Sequence, residues 1–318
     1  MSKFVRQLLP FGSLILIICI LSALRPESFL TIDNFLNVLR RSSVYGIIAI
    51  GMTFVIISAG IDLSVGSMLA LCGMIGAAVM VAVSGTTDPQ GMSLAVGTIV
   101  GMVVGTICGF INGLLITKLS LQPFIVTLGT MSFFRGIALV MKDGQPINVP
   151  SYKYLGEGLV LGIPISIIIF AVIIVLASFI LRYTHLGRYT YAIGSNREAA
   201  FHAGVNVHRN LICIFTFTGF LVGIAAMIAT SRTVSAQPTA GLGAELDIIA
   251  AVVIGGASLA GGQGTITGTI IGTLLISFLR NGCTLLGIST NAQLIVIGLI
   301  IVLAVAVDQL ARSKTKQI

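Results

Sequence analysis

Ten apolar runs, separated by short polar segments, limit the folds that this chain can adopt. Apart from the short eighth run, each approaches the length of about 20 residues that a helix needs to cross a bilayer. Only 9% of the residues are charged and 56% are hydrophobic, whereas soluble domains average about 25% charged residues. The sequence therefore predicts an all-α, polytopic integral membrane protein. The runs are residues 8–24, 44–59, 67–83, 92–116, 121–141, 160–181, 211–230, 248–260, 265–282 and 292–307.

The distribution of basic residues predicts the orientation of the chain. An even number of spans puts both termini on one side of the membrane. If that side is the cytoplasm, ten Lys and Arg residues fall in inner segments and six in outer segments, the latter including Arg40, Arg41 and Arg232. This bias agrees with the positive-inside rule. The net charge of +8 does not indicate nucleic-acid binding, because the basic residues lie between apolar spans and not on one soluble face.

Two segments of the chain resemble each other. Residues 97–106 match residues 264–273, and an Asn-Gly pair follows each. The matching runs are the fourth and the ninth, so an odd number of crossings separates them and the two copies have opposite orientations. Chance similarity between Gly-rich helices is the alternative explanation. A true inverted repeat is typical of transporters and would divide a single transmembrane domain, residues 1–318, into halves of roughly 44–141 and 211–307.

Glycines recur every four residues within the repeated segments. This spacing puts them on one face of a helix, where two backbones can approach closely. The pattern predicts helix packing and no chemistry. The glycines are Gly97, Gly101, Gly105, Gly109, Gly113, Gly264, Gly268 and Gly272.

A few polar side chains interrupt the apolar runs. Asp62 could cap the helix that follows it, in a turn near the inner surface, or it could belong to a discontinuous element that lines a solute path. Arg135 and Arg280 are expected to extend their long side chains toward the membrane surface. The candidates for lining a path are Asp62, Ser64, Asn112, Gln122, Thr127, Asn281 and Gln293.

Catalytic and metal-binding patterns are not found in the sequence. There is no His-Glu-x-x-His and no Gly-x-Ser-x-Gly motif, and the five cysteines lie in apolar runs without metal or disulfide spacing. The sequence therefore predicts neither an enzyme nor a metal site.

The polar segment 182–209 differs from the rest of the chain. It contains all three histidines and several arginines. Ser195 and Glu198 form a capping-box pattern, with Asn196 as an alternative cap, and Gly204 is suited to ending the helix. A helix this short is unstable alone in water. The segment is either an ordinary cytoplasmic loop or a helix that docks onto a partner.

Several motifs resemble one family of transport proteins. The Glu-Ala-Ala pattern that begins at Glu198 and continues to Gly204 resembles the EAA loop of ABC importer permeases. Residues 58–67 resemble the GIDLSVGS signature of monosaccharide ABC permeases, and residues 235–241 and 249–264 resemble further motifs of that group. The resemblance covers nearly the whole chain and is greatest for the ribose-type permeases.

The resemblance implies a multi-pass permease of a bacterial inner membrane, in contact with lipid and with both termini cytoplasmic. It implies three protein partners: a second permease copy, a cytoplasmic ATPase subunit that binds ATP and Mg²⁺, and an extracytoplasmic sugar-binding protein. The permease itself would need no cofactor. The cytoplasmic loop 182–210 would couple it to the ATPase through Ser195, Asn196, Glu198, Ala199, Ala200, Phe201 and Gly204.

The expected function is thus ATP-driven import of a pentose or a related monosaccharide. An ABC permease for branched-chain amino acids or nucleosides is the main alternative, because it would share the architecture. A secondary transporter is less favoured, since such proteins need several titratable or ion-binding groups within their spans, and Asp62 is nearly alone.

Overall fold

The computed structural model describes residues 3–84, 90–299 and 302, and this part of the chain is almost entirely helical. Two pairs of two-residue strands are the exceptions. The helices are α1 Lys3–Leu24, α2 Pro26–Phe29, α3 Ile32–Ile57, α4 Val65–Ser84, α5 Gln90–Lys118, α6 Pro123–Val140, α7 Tyr154–Glu157, α8 Ile165–Tyr183, α9 His185–Ser195, α10 Arg197–His202, α11 Val207–Thr233, α12 Ala244–Ile254, α13 Ile266–Leu285 and α14 Thr290–Leu299. The strands are β1 Ile147–Asn148, β2 Leu159–Val160, β3 Ile163–Pro164 and β4 Ser235–Ala236.

Seven of the described helices are long and apolar enough to cross a membrane, namely α3, α4, α5, α6, α8, α11 and α13. The first and tenth predicted spans correspond to the shorter apolar segments Phe11–Leu24 and α14, and the end of the tenth span lies outside the described residues. The eighth predicted span is the 11-residue helix α12. At 1.5 Å per residue α12 is about 16 Å long, roughly half the thickness of a bilayer core.

Three arginines that the sequence placed in outer segments lie within long helices. α3 begins at Ile32, where the side chain of Thr31 accepts a hydrogen bond from the Asn34 amide at 3.2 Å. Arg40 and Arg41 therefore belong to α3, and Arg232 belongs to α11. Hydropathy falls at a charged residue, whereas the backbone hydrogen bonds of a helix continue past it, so these helices extend beyond the apolar runs.

The two ends of the helix bundle have different structures. At one end, the strand end, β1 pairs with β4, β2 pairs with β3, and Tyr152 and Thr98 share a hydrogen bond of 2.8 Å. Burial raises the pKa of Tyr152 to about 12, so its hydroxyl stays protonated. At the opposite end, the α9–α10 end, the Tyr191 hydroxyl donates to the Gly264 carbonyl at 2.7 Å.

The two copies of the repeat run in opposite directions through the bundle. α5 begins at the strand end, beside Tyr152, and α13 begins at the α9–α10 end, beside Tyr191. α5 packs on α4 and α11, while α13 packs on α12 and α3. Exchanging α3 with α11 and α4 with α12 converts one set of contacts into the other, which is what an inverted repeat requires. α3, with Ile47, Met52 and Phe54 fully buried, lies in the core.

Glycines bring the helix backbones together in both copies. A Cβ at Gly105 or Gly109 would overlap the backbone of α11, and one at Gly268 or Gly272 would overlap the backbone of α12. Gly97 faces α4, Gly101 faces Met227 of α11 and the backbone of α4, and Gly113 faces α11. Gly264 lies in the turn before α13, so it is not part of a helix face.

Candidate functional site

α9 and α10 form two short helices where the sequence predicted one. Thr184 caps α9, and the Asn196 side chain caps α10 by accepting a hydrogen bond from the Ala199 amide at 2.9 Å. The expected capping box was therefore wrong. Ser195 is the last residue of α9 and is helical, whereas Asn196 has the extended backbone that a cap requires.

The end of α10 agrees with the prediction. Gly204 has a φ of +84°, in the region that favours glycine, and its amide donates to the Phe201 carbonyl at 3.0 Å. Ala200 is buried and contributes to a small apolar cluster with Ile193, Val205, Val207 and Leu211. α10 is thus fixed to α9 and α11 through one side chain.

The opposite face of α10 is uncovered. Phe201 is 66% exposed, and Glu198, Ala199 and Ala203 are exposed beside it. An exposed aromatic ring among small side chains is a feature of protein interfaces. The predicted coupling residues therefore form one accessible surface, apart from Ala200, which faces inward.

α9 links this surface to the helix bundle. Gly194 lies against the Ile57 carbonyl at the end of α3, and the same carbonyl accepts a hydrogen bond from the Gly262 amide at 2.8 Å. Tyr191 donates to Gly264, just before α13, and burial raises the pKa of Tyr191, so this donor stays protonated. A displacement of α9 would be transmitted to α3 and α13.

Four predicted path residues meet in the break between α3 and α4. Asp62 accepts hydrogen bonds from the amide of Ser64 at 2.9 Å and from its hydroxyl at 2.6 Å. Asn112 donates to the Ser64 hydroxyl at 2.8 Å, and Thr127 donates to the Ile61 carbonyl at 3.1 Å. Asp62, Ser64 and Asn112 are fully buried. Asp62 therefore supports the turn that starts α4.

The other three predicted path residues lie apart from this cluster. Gln122 precedes α6 and its side chain caps nothing. Asn281 exchanges hydrogen bonds with Asn34 at 2.7 and 3.2 Å. Gln293 donates to the Ile288 carbonyl at 3.0 Å.

A second break, residues 234–243, separates α11 from α12. Arg135 of α6 donates to the carbonyls of Pro238 and Ala240, both at 2.8 Å. Arg280 of α13 forms an ion pair with Asp247 of α12 at 2.6 Å, with both side chains about nine-tenths buried. The sequence led us to expect both arginines to extend toward the membrane surface, and in the structure each has a polar partner inside the protein.

A cavity of about 410 Å³ opens between α3, α4, α11 and the second break. This volume lies within the range of about 300–1,000 Å³ usual for small-molecule sites. None of the predicted path residues lines it. The polar lining residues are Arg41, Tyr45, Thr230, Arg232, Thr233, Ser235, Gln237 and Thr239. The motif at residues 235–241 could have indicated part of this cavity wall from the sequence. Arg41, Tyr45 and Thr230 belong to helices, and the sequence does not show which side of each helix faces the cavity.

Metal chemistry finds no support in this part of the chain. Within the described residues, no group of three or more His, Cys, Asp or Glu side chains could hold a metal ion.

Comparisons with known proteins cover nearly the whole sequence. Residues 34–305 match the family model described as branched-chain amino acid transport system / permease component. The ribose import permease protein of Haemophilus influenzae is 45% identical, over 98% of this chain and 96% of the relative. That of Bacillus subtilis is 48% identical, over 96% and 93%. The D-allose transport system permease protein of Escherichia coli is 39% identical, over 94% and 90%. No solved structure matches the chain.

Proposed function

The chain belongs to the permease family described as the branched-chain amino acid transport system permease component, and from this premise we propose that it imports a pentose or a related monosaccharide. It is the transmembrane subunit of a sugar ABC importer, not an enzyme. The observation that carries the choice of a pentose is the near full-length likeness to ribose import permease proteins of two organisms, at 45% and 48% identity.

The family description alone would allow an amino acid as the solute. The alternative of a branched-chain amino acid or nucleoside permease is not favoured, because the full-length relatives given above are named for ribose and allose. The cavity supports the same choice. Beside apolar residues such as Val44 and Leu69, its wall offers hydroxyl, amide and guanidinium groups, which suit the many hydroxyls of a sugar.

Membership of this family implies an ATPase subunit and a substrate-binding protein as partners. We propose that ATP and Mg²⁺ are bound by the ATPase, that this chain needs no cofactor, and that a second copy of the chain completes the permease. The protein is a multi-pass protein of the inner membrane, and we propose that both termini are cytoplasmic. The excess of basic residues in the predicted inner segments supports this orientation, and so does the need for α10 to face the ATPase.

We propose that α10 docks onto the ATPase and that α9 transmits the movement. The exposed Phe201 supplies an apolar anchor. Gly194 supports the transmission of this movement, because its close contact with the Ile57 carbonyl leaves no space between α9 and the end of α3. The coupling residues Ser195, Asn196, Glu198 and Gly204 shape the two helices and keep this surface in place.

Transport by the purified complex tests the proposed function. The chain, reconstituted in vesicles with its ATPase and binding protein, should take up radiolabelled ribose only when ATP is present. Leucine and a nucleoside serve as competing solutes. Uptake of leucine or the nucleoside without uptake of any sugar would contradict the proposal.

The variant Phe201→Ala tests the coupling surface, and Phe133→Ala is its matched control. Phe133 is 64% exposed, nearly the same as the 66% of Phe201, but it lies on α6. Truncating an interface anchor costs about 2 kcal/mol or more, so ATPase binding should weaken about 30-fold. We expect Phe201→Ala to reach the membrane at normal abundance with weakened ATPase co-purification and sugar uptake. Equal results for the two variants would reject α10 as the docking helix.

A further inference from the structure

The cavity described above carries positive charge and no compensating negative charge among the described residues. Arg41 contributes from α3 and Arg232 from α11. Arg40 adds a further positive charge that acts on Arg232. The Arg232 side chain reaches the Arg40 carbonyl at 3.5 Å, and Nε of Arg40 is buried without a hydrogen-bond partner. No carboxylate lines the cavity within the described chain.

Two carboxylates of α12 have arginine neighbours. Asp247 is held by Arg280 at 2.6 Å, and both line a small pocket of about 20 Å³ that shares Arg41 and Tyr45 with the cavity. Glu245, which follows the second break, interacts with Arg135. Arg41 and Arg232 therefore line the cavity without a carboxylate among its described lining residues.

Hydrogen-bonding groups surround these two charges. Gln237 donates one amide hydrogen to Ser235 at 3.1 Å, and the rest of its amide is available to a solute. Tyr45, Thr230 and Thr239 add hydroxyls to the same wall. A polyhydroxylated solute would exchange its bound water for these groups, whereas an apolar solute would leave them unpaired.

We propose that this cavity is the transit site for the sugar and that Arg41 and Arg232 make it a barrier to cations. The proposal rests on the proposed function of sugar import. Charges of one sign in a cleft with low-dielectric walls focus the potential and change local ion concentrations by about 10-fold or more. Neutral polyols pass, sugars with an anionic group are tolerated, and amino sugars and inorganic cations are excluded. Arginine side chains exclude protons and cations from other membrane pores by the same physics.

A single engineered cysteine measures this potential directly. Ala229→Cys, in a version without the five native cysteines, places a thiol in the cavity wall with little change in volume. Its reaction rate is measured with an anionic and a cationic methanethiosulfonate of similar size. The rate for each reagent at the protein cysteine is divided by its rate with a small free thiol in solution. The ratio of the two normalised rates, anionic over cationic, does not depend on the exposure or the pKa of the protein thiol. Leu161→Cys, at a hairpin tip that is 98% exposed, is the control.

We expect the anionic reagent to be favoured about 10-fold at residue 229 and not at residue 161. The preference should fall at high salt and disappear in the Arg41→Gln, Arg232→Gln double variant. Replacing either arginine alone should lower the preference for the anionic reagent only in part. Equal rates at residue 229, or a preference that survives the double replacement, would overturn the charge barrier. Elution as a single species with the ATPase attached shows that the variants are folded.

The transit role is tested in the same proteins. Attachment of a bulky neutral thiol reagent at residue 229 should abolish sugar uptake, whereas attachment at residue 161 should leave it unchanged. Ala240→Cys is a second position in the cavity wall. Full uptake after labelling at both residue 229 and residue 240 would overturn the transit role. Failure of the proposed function has a different signature, because the unlabelled wild-type complex would then take up no sugar.

Discussion

Two breaks interrupt the packed helices, and different chemical groups stabilise them. The first, residues 58–64, is supported by one carboxylate, by nearby backbone, and by the neutral side chains of Asn112 and Thr127. Asp62 caps the amide and hydroxyl of Ser64, and the Gly60 amide donates to the Val55 carbonyl at 2.9 Å. The second, residues 234–243, depends on Arg135, which is 103 residues from Pro238. Both solve the same problem, since non-helical backbone at membrane depth needs partners within the protein.

The comparison shows that the two copies of an inverted repeat need not share their polar chemistry. The first break is filled by small neutral side chains and one carboxylate, and its cluster is fully buried. The second borders the cavity and is held by a guanidinium. A break that only connects two helices can be fully buried, whereas a break that lines a solute site needs an open cavity beside it.

The two breaks meet at Gly66. A Cβ on Gly66 would overlap the Gly241 carbonyl and lie 2.6 Å from Oε2 of Glu245. The start of α4 therefore packs directly on the segment that leads into α12, and this contact joins the two halves of the molecule.

Gly66→Val should have the largest effect on stability. The added side chain collides with backbone, which cannot move aside as a flexible side chain can, so we expect a loss of about 3 kcal/mol or more. Thermal unfolding of the detergent-purified protein measures it. Gly129→Val is the control, because a Cβ at Gly129 has no neighbour within 4 Å. Similar melting temperatures for the two variants would show that the breaks are not in close contact.

Arg135→Met should have the next largest effect. It removes two charge-assisted hydrogen bonds to the second break and leaves Glu245 without its cationic neighbour. Hydrogen bonds to charged groups contribute about 1.5–3 kcal/mol each, and we expect a loss near 3 kcal/mol. Arg135→Lys keeps the charge but not the guanidinium geometry, so its melting temperature should be intermediate. An unchanged melting temperature for Arg135→Met would show that the second break supports itself.

Asp62→Ala should destabilise the first break by about 1–3 kcal/mol, because the buried amide and hydroxyl of Ser64 lose their acceptor. Asp62→Asn keeps an acceptor oxygen for Ser64 and should cost less than about 1 kcal/mol. Unfolding in denaturing detergent ranks the two variants. Equal losses for Asn and Ala would mean that the negative charge, and not the acceptor oxygen of the cap, matters.

Thr233→Val should have the smallest effect. The Thr233 hydroxyl donates to the Ser235 carbonyl at 2.7 Å at the start of the second break, but this side chain is exposed and water can replace it. We expect a loss of about 0.5 kcal/mol in the same detergent assay. A loss as large as that of Arg135→Met would show that local hydrogen bonds support both breaks, and the contrast between them would disappear.

Local patterns were predictable from the sequence wherever a few neighbouring residues decide the structure. The apolar runs indicated a helical membrane protein, and the spacing of Gly97, Gly101 and Gly105 indicated close helix contacts. The glycine that ends α10, Gly204, and the cap at Asn196 could also be identified. Each of these depends on interactions within about one or two helical turns, and such interactions leave a periodic or positional signal in the chain.

The site depends on long-range contacts, and only the tertiary structure decided it. Polarity alone suggested Asn281 and Gln293 as path residues, but the fold pairs Asn281 with Asn34 and satisfies Gln293 locally. The cavity wall came instead from Arg41, Tyr45 and the second break. A polar residue within a span can form a hydrogen bond or an ion pair with any of several residues that are distant in the sequence. The hydrophobicity profile of the chain does not identify that partner. The sequence by itself determined the helices and their packing glycines, because these follow from local periodicity. The tertiary structure decided which charges are paired and which face the cavity, because that depends on residues from different helices that are far apart in the sequence.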